Sequence, residues 1–193
     1  MLLAFFVAAT VLIATTMAIG ADNGSAPLPR PAGEFTIHLD NGKQVLLSSY
    51  KGKVVLMAFF FTTCSHCQHM AGVLQGVQKE YGPKGVQVIA GCFDENAQGQ
   101  VGQFNQMFVQ NAYPVGWDPR EAVLQFLHVP STQMIYVPII TFIDRTGKLQ
   151  QQYIGDENYL RDPEKNVRAS LDQLLKAGAP VVPHAKTATK TVK

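Results

Sequence analysis

A chain of 193 residues, 47% hydrophobic and 16% charged, has the apolar material for one sizeable core and suits one domain with extensions better than two domains. The formal net charge is +2; setting aside the three lysines of the acid-free tail 179–193 leaves 13 basic against 14 acidic residues, a net of −1. So neutral a body argues against phosphate-backbone binding as the main task.

Residues 1–21 (MLLAFFVAATVLIATTMAIGA) carry no charge and are long enough for a secretory apolar stretch or a single membrane crossing. Ala18, Gly20 and Ala21 offer a cleavage site, although no Lys or Arg precedes the run. The segment reads as a signal peptide or membrane anchor rather than a buried helix, because it is terminal and polar, proline-rich sequence follows. Residues 22–32 (DNGSAPLPRPA) read as a linker that builds no element. Residues 35–40 and 43–47, joined by Asn41-Gly42, predict a β-hairpin. The continuous apolar run 54–61 (VVLMAFFF) predicts a strand covered on both faces.

Thr62-Thr63-Cys64-Ser65-His66-Cys67 follows directly, and then a helix over 68–81 with Met70, Val73, Leu74 and Val77 inward, ended by Gly82-Pro83. A strand is predicted over 86–92, a helix over 100–110 with Val101, Phe104, Phe108 and Val109 inward, and a short helix over 120–127. Residues 139–143 and 149–154 predict a second hairpin around the turn 144–147. A closing helix is predicted over 162–176, with Val167, Leu171, Leu174 and Leu175 inward and Gly178 as its C-terminal cap. Strand–helix alternation ending in a hairpin implies an α/β sheet with mixed pairing. The domain is expected over 33–178, followed by a disordered basic tail, 179–193.

Four stretches in this order resemble the thioredoxin superfamily, and within it the exported TlpA/ResA-like redoxins of the AhpC/TSA–redoxin group: residues 47–55, the Cys64-Ser-His-Cys67 motif, Val137-Pro138 with the strand after it, and residues 144–148. The resemblance spans roughly residues 33–177. It implies a thioredoxin-like fold, a central mixed sheet flanked by helices with an N-terminal β-hairpin extension. It also implies a thiol–disulfide oxidoreductase with Cys64 and Cys67 as redox-active pair and a cis Pro138 facing them. No cofactor is implied. The expected partners are protein thiols or disulfides and a redox partner, not nucleic acid, for a monomer that is periplasmic or anchored facing outward through residues 1–21. Two acids that relatives carry would fall at Ala58 and Met70, where neither is present, and Thr63 replaces the usual aromatic residue before the first cysteine.

The chemistry agrees with these residues. A free thiol, pKa ~8.5, is mostly protonated at neutral pH, and a helix start favours the reactive thiolate. Cys67, one turn on and less exposed, would resolve the mixed disulfide. His66 between the cysteines either stabilises the Cys64 thiolate or is simply an exposed helix-start residue. As a stabiliser it favours an oxidant, whereas the frame favours a reductase; the direction stays open, leaning to reduction. Cys92 reads as a small buried hydrophobe, with a resolving or partner-linking thiol as the less favoured alternative. Residues 131–136 are expected to shape the substrate surface. Two other functions compete. A peroxiredoxin-like thiol peroxidase is disfavoured because no proline precedes Cys64, which stands after FFFTT. A metal-binding, copper-chaperone-like module using Cys64, His66, Cys67, His69 and Met70 is disfavoured by poor ligand spacing.

Overall fold

In the computed structural model, which describes residues 26–177, an eight-stranded mixed sheet carries helices on both faces. The expectations for residues 1–21, the first residues of the linker, Gly178 and the tail lie outside the described residues.

The strands in chain order are β1 (Arg30–Pro31), β2 (Thr36–His38), β3 (Gln44–Leu46), β4 (Val54–Phe60), β5 (Val86–Cys92), β6 (Val115–Trp117), β7 (Ile139–Ile143) and β8 (Lys148–Ile154). Their order across the sheet is β1-β8-β7-β4-β5-β6-β2-β3. The pairs β4–β5 and β5–β6 are parallel, and the remaining pairs are antiparallel. The helices are α1 (Ser65–Tyr81), α2 (Ala97–Phe104), α3 (Arg120–Leu127), α4 (Glu157–Leu160) and α5 (Pro163–Ala177).

The apolar run of β4 is continuous because both of its faces are covered. Val54, Leu56, Ala58 and Phe60 join the core beneath α1, α2 and α5, while Val55, Met57 and Phe59 join a second core with Val123, Leu124 and Leu127 of α3. The inward residues predicted for the helices follow suit: Met70, Val73, Leu74, Val77, Val101, Phe104, Val109, Val167, Leu171 and Leu174 are buried, and Phe108 and Leu175 are partly buried against the same core.

Two expectations are corrected, and two elements were not expected. Residues 22–32 do contain an element: Arg30–Pro31 pairs antiparallel with Leu149 and Lys148. A proline is tolerated there because β1 is the sheet's edge, and Arg30 is buried with its Nη2 donating to the Phe126 carbonyl at 2.6 Å. The helix predicted over 100–110 starts at Ala97 and passes at Asn105–Val109 into a π-turn, closed by left-handed Gln110 and Asn111. Strand β6 escaped the sequence because it is three residues long with a central glycine. Helix α4 escaped it as a single turn, capped by the Asp156 carboxylate accepting the Tyr159 amide at 3.0 Å.

Candidate active site

The fully buried β4 ends at the edge of the sheet where parallel strands have their carboxyl ends, the usual place for a site in such folds. Cys64 then takes the N-cap position of α1 in an extended backbone conformation (φ −79°, ψ 117°). Its amide donates to the Phe61 carbonyl at 3.2 Å, and its own carbonyl accepts the Gln68 amide at 3.0 Å. The Cys64 sulfur accepts the Cys67 amide at 3.4 Å, so it stands over the orphan N–H groups and positive end of a 17-residue helix whose first turn holds no acid. Helix α1 begins three residues before the predicted start, taking in the whole motif after Cys64.

The two cysteines differ in access. Cys64 is half-buried and Cys67 is sealed, 0% exposed, and both are free thiols. Burial, and secondarily the neighbouring Cys64 sulfur, push the Cys67 thiol far above its ordinary value. Such a group stays protonated until a reaction draws the proton away. Ala58 and Met70, where an acid was sought, are buried core residues.

Pro138 follows Val137 through a cis peptide bond. The register places it beside the motif, since Ile139, the next residue, pairs with Phe59 of β4. A cavity of about 880 Å³ opens there, lined by His66, His69 and Met70 of α1 and by Tyr136, Val137 and Pro138. Structure thus brings His66 and Pro138 to one cavity next to the cysteine turn. His66 is exposed and makes no hydrogen bond among the described residues; the amide that reaches the Cys64 sulfur is that of Cys67. In the 131–136 segment Ile135 is buried, whereas Met134 and Tyr136 are 74% and 65% exposed, and Tyr136 lines the cavity.

Cys92 lies one strand away, paired with Phe60, at the same sheet edge. It is 0% exposed, and burial raises its thiol well above the ordinary value, as fits a small core residue. Among the described residues no group of three or more His, Cys, Asp or Glu side chains is placed to hold a metal ion.

Two acids near this edge were not singled out from the sequence. Asp94, after β5, accepts the Thr62 amide at 2.6 Å and the Thr62 hydroxyl at 2.7 Å. Asp118, after β6, is buried, and burial pushes its carboxyl up to about 8 despite a hydrogen bond from the His38 backbone; the His38 ring Nδ1 also lies 3.4 Å from Oδ1. Asp118 lies over Gly91, the strand partner of Phe59, on the face of α3 rather than of Cys67. Neither contact has a local signature, because both join residues some thirty or more positions apart.

A family model described as Redoxin matches residues 26–171. The thiol-disulfide oxidoreductase ResA of Bacillus thuringiensis (strain Al Hakam) is 27% identical over 137 residues, covering 71% of this chain and 75% of that one. A thioredoxin-family thiol:disulfide interchange protein of Chlorobium tepidum superposes with a TM-score of 0.61 at 23% identity, covering 76% of this chain and 99% of that chain. The exposed lipoprotein thioredoxin Etrx1 of Streptococcus pneumoniae gives a TM-score of 0.59 at 24% identity over 74% of this chain and 100% of that chain, and both likenesses are of fold.

Proposed function

The chain belongs to the redoxin family, as a TlpA/ResA-like thiol–disulfide oxidoreductase, and on that premise we propose that Cys64 and Cys67 are its redox pair, acting on protein substrates outside the cytoplasm. The observation that carries the reading is the unequal placement of the two sulfurs. Cys64 sits half-exposed at a helix N-terminus with the Cys67 amide on its sulfur, and Cys67 lies sealed one turn behind.

In the reducing direction the Cys64 thiolate attacks a substrate disulfide, forming a Cys64–substrate disulfide and releasing a substrate thiolate. That thiolate is the base at hand for the Cys67 proton, since Ala58 and Met70 offer none. Cys67 then attacks the Cys64 sulfur, a Cys64–Cys67 disulfide forms, and the second substrate sulfur leaves as a thiolate. Two electrons pass to the substrate, and a redox partner restores the dithiol. Reduction is favoured over oxidation because His66, the cue for an oxidant, makes no hydrogen bond to the Cys64 sulfur. The substrate chain is read as lying in the cavity beside cis Pro138, with exposed Tyr136 lining it. Residues 1–21 carry the export reading, as signal or anchor, and the folded domain takes in the edge strand at Arg30–Pro31.

The test is an exchange assay with a model protein disulfide under a thiol reductant. Cys64→Ser should lose at least about a hundredfold in rate, since nothing else at the site supplies an accessible thiolate. Retention of full activity by Cys64→Ser would overturn the assignment.

A further inference from the structure

We propose that Asp94 is a positioning residue for the redox pair, its carboxylate fixing the Thr62–Thr63 turn that sets the direction of the Cys64 sulfur. The inference rests on the reading of Cys64 as the attacking sulfur.

Thr62 is 5% exposed, yet its amide and hydroxyl both point away from regular structure. Left unpaired, each would cost the full desolvation of a buried polar group. Asp94 satisfies both, one carboxylate oxygen accepting the amide at 2.6 Å and the other the hydroxyl at 2.7 Å. Both are charge-assisted bonds, the stronger kind. The Gln100 Oε1 of α2 lies 2.8 Å from the same hydroxyl oxygen, a second acceptor in reach of its one proton. On the far side the Thr62 carbonyl accepts the Gln68 side chain of α1 at 3.0 Å. Thr62 is therefore bracketed between the loop after β5 and the first turn of α1. The next bond along, Cys64 amide to Phe61 carbonyl, closes the turn, and the Cys64 sulfur meets the Cys67 amide only because that turn holds its shape.

A carboxylate here acts in two opposed ways. As an anchor it keeps the sulfur over the helix N-terminus and favours the thiolate; as a charge it repels the thiolate. The anchor dominates, because the carboxylate is bonded directly to the turn while its charge is offset by two donors. Two substitutions separate the effects. Asp94→Asn removes the charge but keeps the bracket: its carbonyl accepts the Thr62 amide, and its N–H₂ donates to the hydroxyl oxygen, whose proton passes to Gln100. Asp94→Ala removes both.

The experiment follows the pH dependence of iodoacetamide alkylation of Cys64 in the reduced full chain, read at the Cys64 peptide by mass spectrometry, with exchange KM and kcat alongside. Asp94→Ala should slow alkylation at pH 7 by roughly three- to tenfold and move its midpoint to higher pH, the effect of losing about one hydrogen bond. Asp94→Asn should stay within about twofold of the parent, because the bracket's bonds are kept. An unchanged or faster rate in Asp94→Ala, or an equal loss in Asp94→Asn, would overturn the proposal. If circular dichroism shows Asp94→Ala unfolded, Thr62→Val carries the test, removing only the hydroxyl. It should slow alkylation in the same direction by a smaller factor, and an unchanged rate overturns the proposal. Alkylation does not require exchange activity. A parent that fails to exchange disulfides while Asp94→Ala still slows alkylation therefore sinks the functional reading and leaves the positioning role standing.

Discussion

Cys64 and Cys67 differ by three positions in sequence and by their whole environment in the fold. The sequence carries the spacing and the helix start, so the closeness of the pair and the deeper burial of Cys67 were legible from the motif alone. What it does not carry is the set of side chains that arrive from elsewhere in the chain. Asp94 and Gln100 reach Thr62 across more than thirty residues, and no periodicity announces such a contact. The same holds for Asp118, a carboxyl raised from about 3.8 to about 8 by burial. The folded state holds its proton across that window while the unfolded chain has lost it, so stability falls as pH rises from about 4 to about 8 and levels above. Each unit of the window costs roughly 1.4 kcal/mol at most. Asp118→Asn should flatten this slope and raise the melting temperature at pH 9; melting curves of both proteins between pH 4 and 9 check it, and parallel slopes would contradict it.

At the scale of elements, long and strongly patterned segments were read closely and short ones were not. Helix α3 and strands β5 and β7 fall on their predicted residues. The four-residue α4 and three-residue β6 are too short for a pattern, and they form because neighbours dictate them: β6 is inserted between β5 and β2. That insertion also fixes Gly116. A Cβ there would lie 2.3 Å from the His38 carbonyl oxygen and 2.6 Å from Ile37 Cγ2, so β2 approaches where only glycine fits. Gly116→Ala should therefore destabilise the chain by about 1–3 kcal/mol, the usual cost of overpacking. Urea unfolding measures it, and a change below about 0.5 kcal/mol, typical of a surface substitution, would show that the hairpin moves aside freely.

At the scale of the molecule, the sheet separates two cores. One, beneath α1, α2 and α5, holds Cys67 and Cys92; the other, beneath α3, holds Phe35, Phe59 and Phe126. The proposed redox pair stands on the first, and oxidation to a Cys64–Cys67 disulfide would act on the packing of that core. A reductase with a potential near thioredoxin's ~−270 mV gains stability on oxidation, whereas an oxidant near DsbA's ~−120 mV loses it, because there the reduced form is the stabilised one. The oxidised protein is expected to melt above the reduced one, and the reverse order would contradict the reducing direction. The mixed sheet and the family were readable from four short stretches in order; the edge strand β1 was not, because its pairing partner Leu149 lies more than a hundred residues away.

The most direct test uses Cys67→Ser, which lacks the sulfur that would release a bound substrate. Incubated with a disulfide-bearing protein and digested, it should yield a mixed disulfide whose sulfur from this chain is Cys64. A mixed disulfide through Cys92, or none while the parent exchanges normally, would contradict the account.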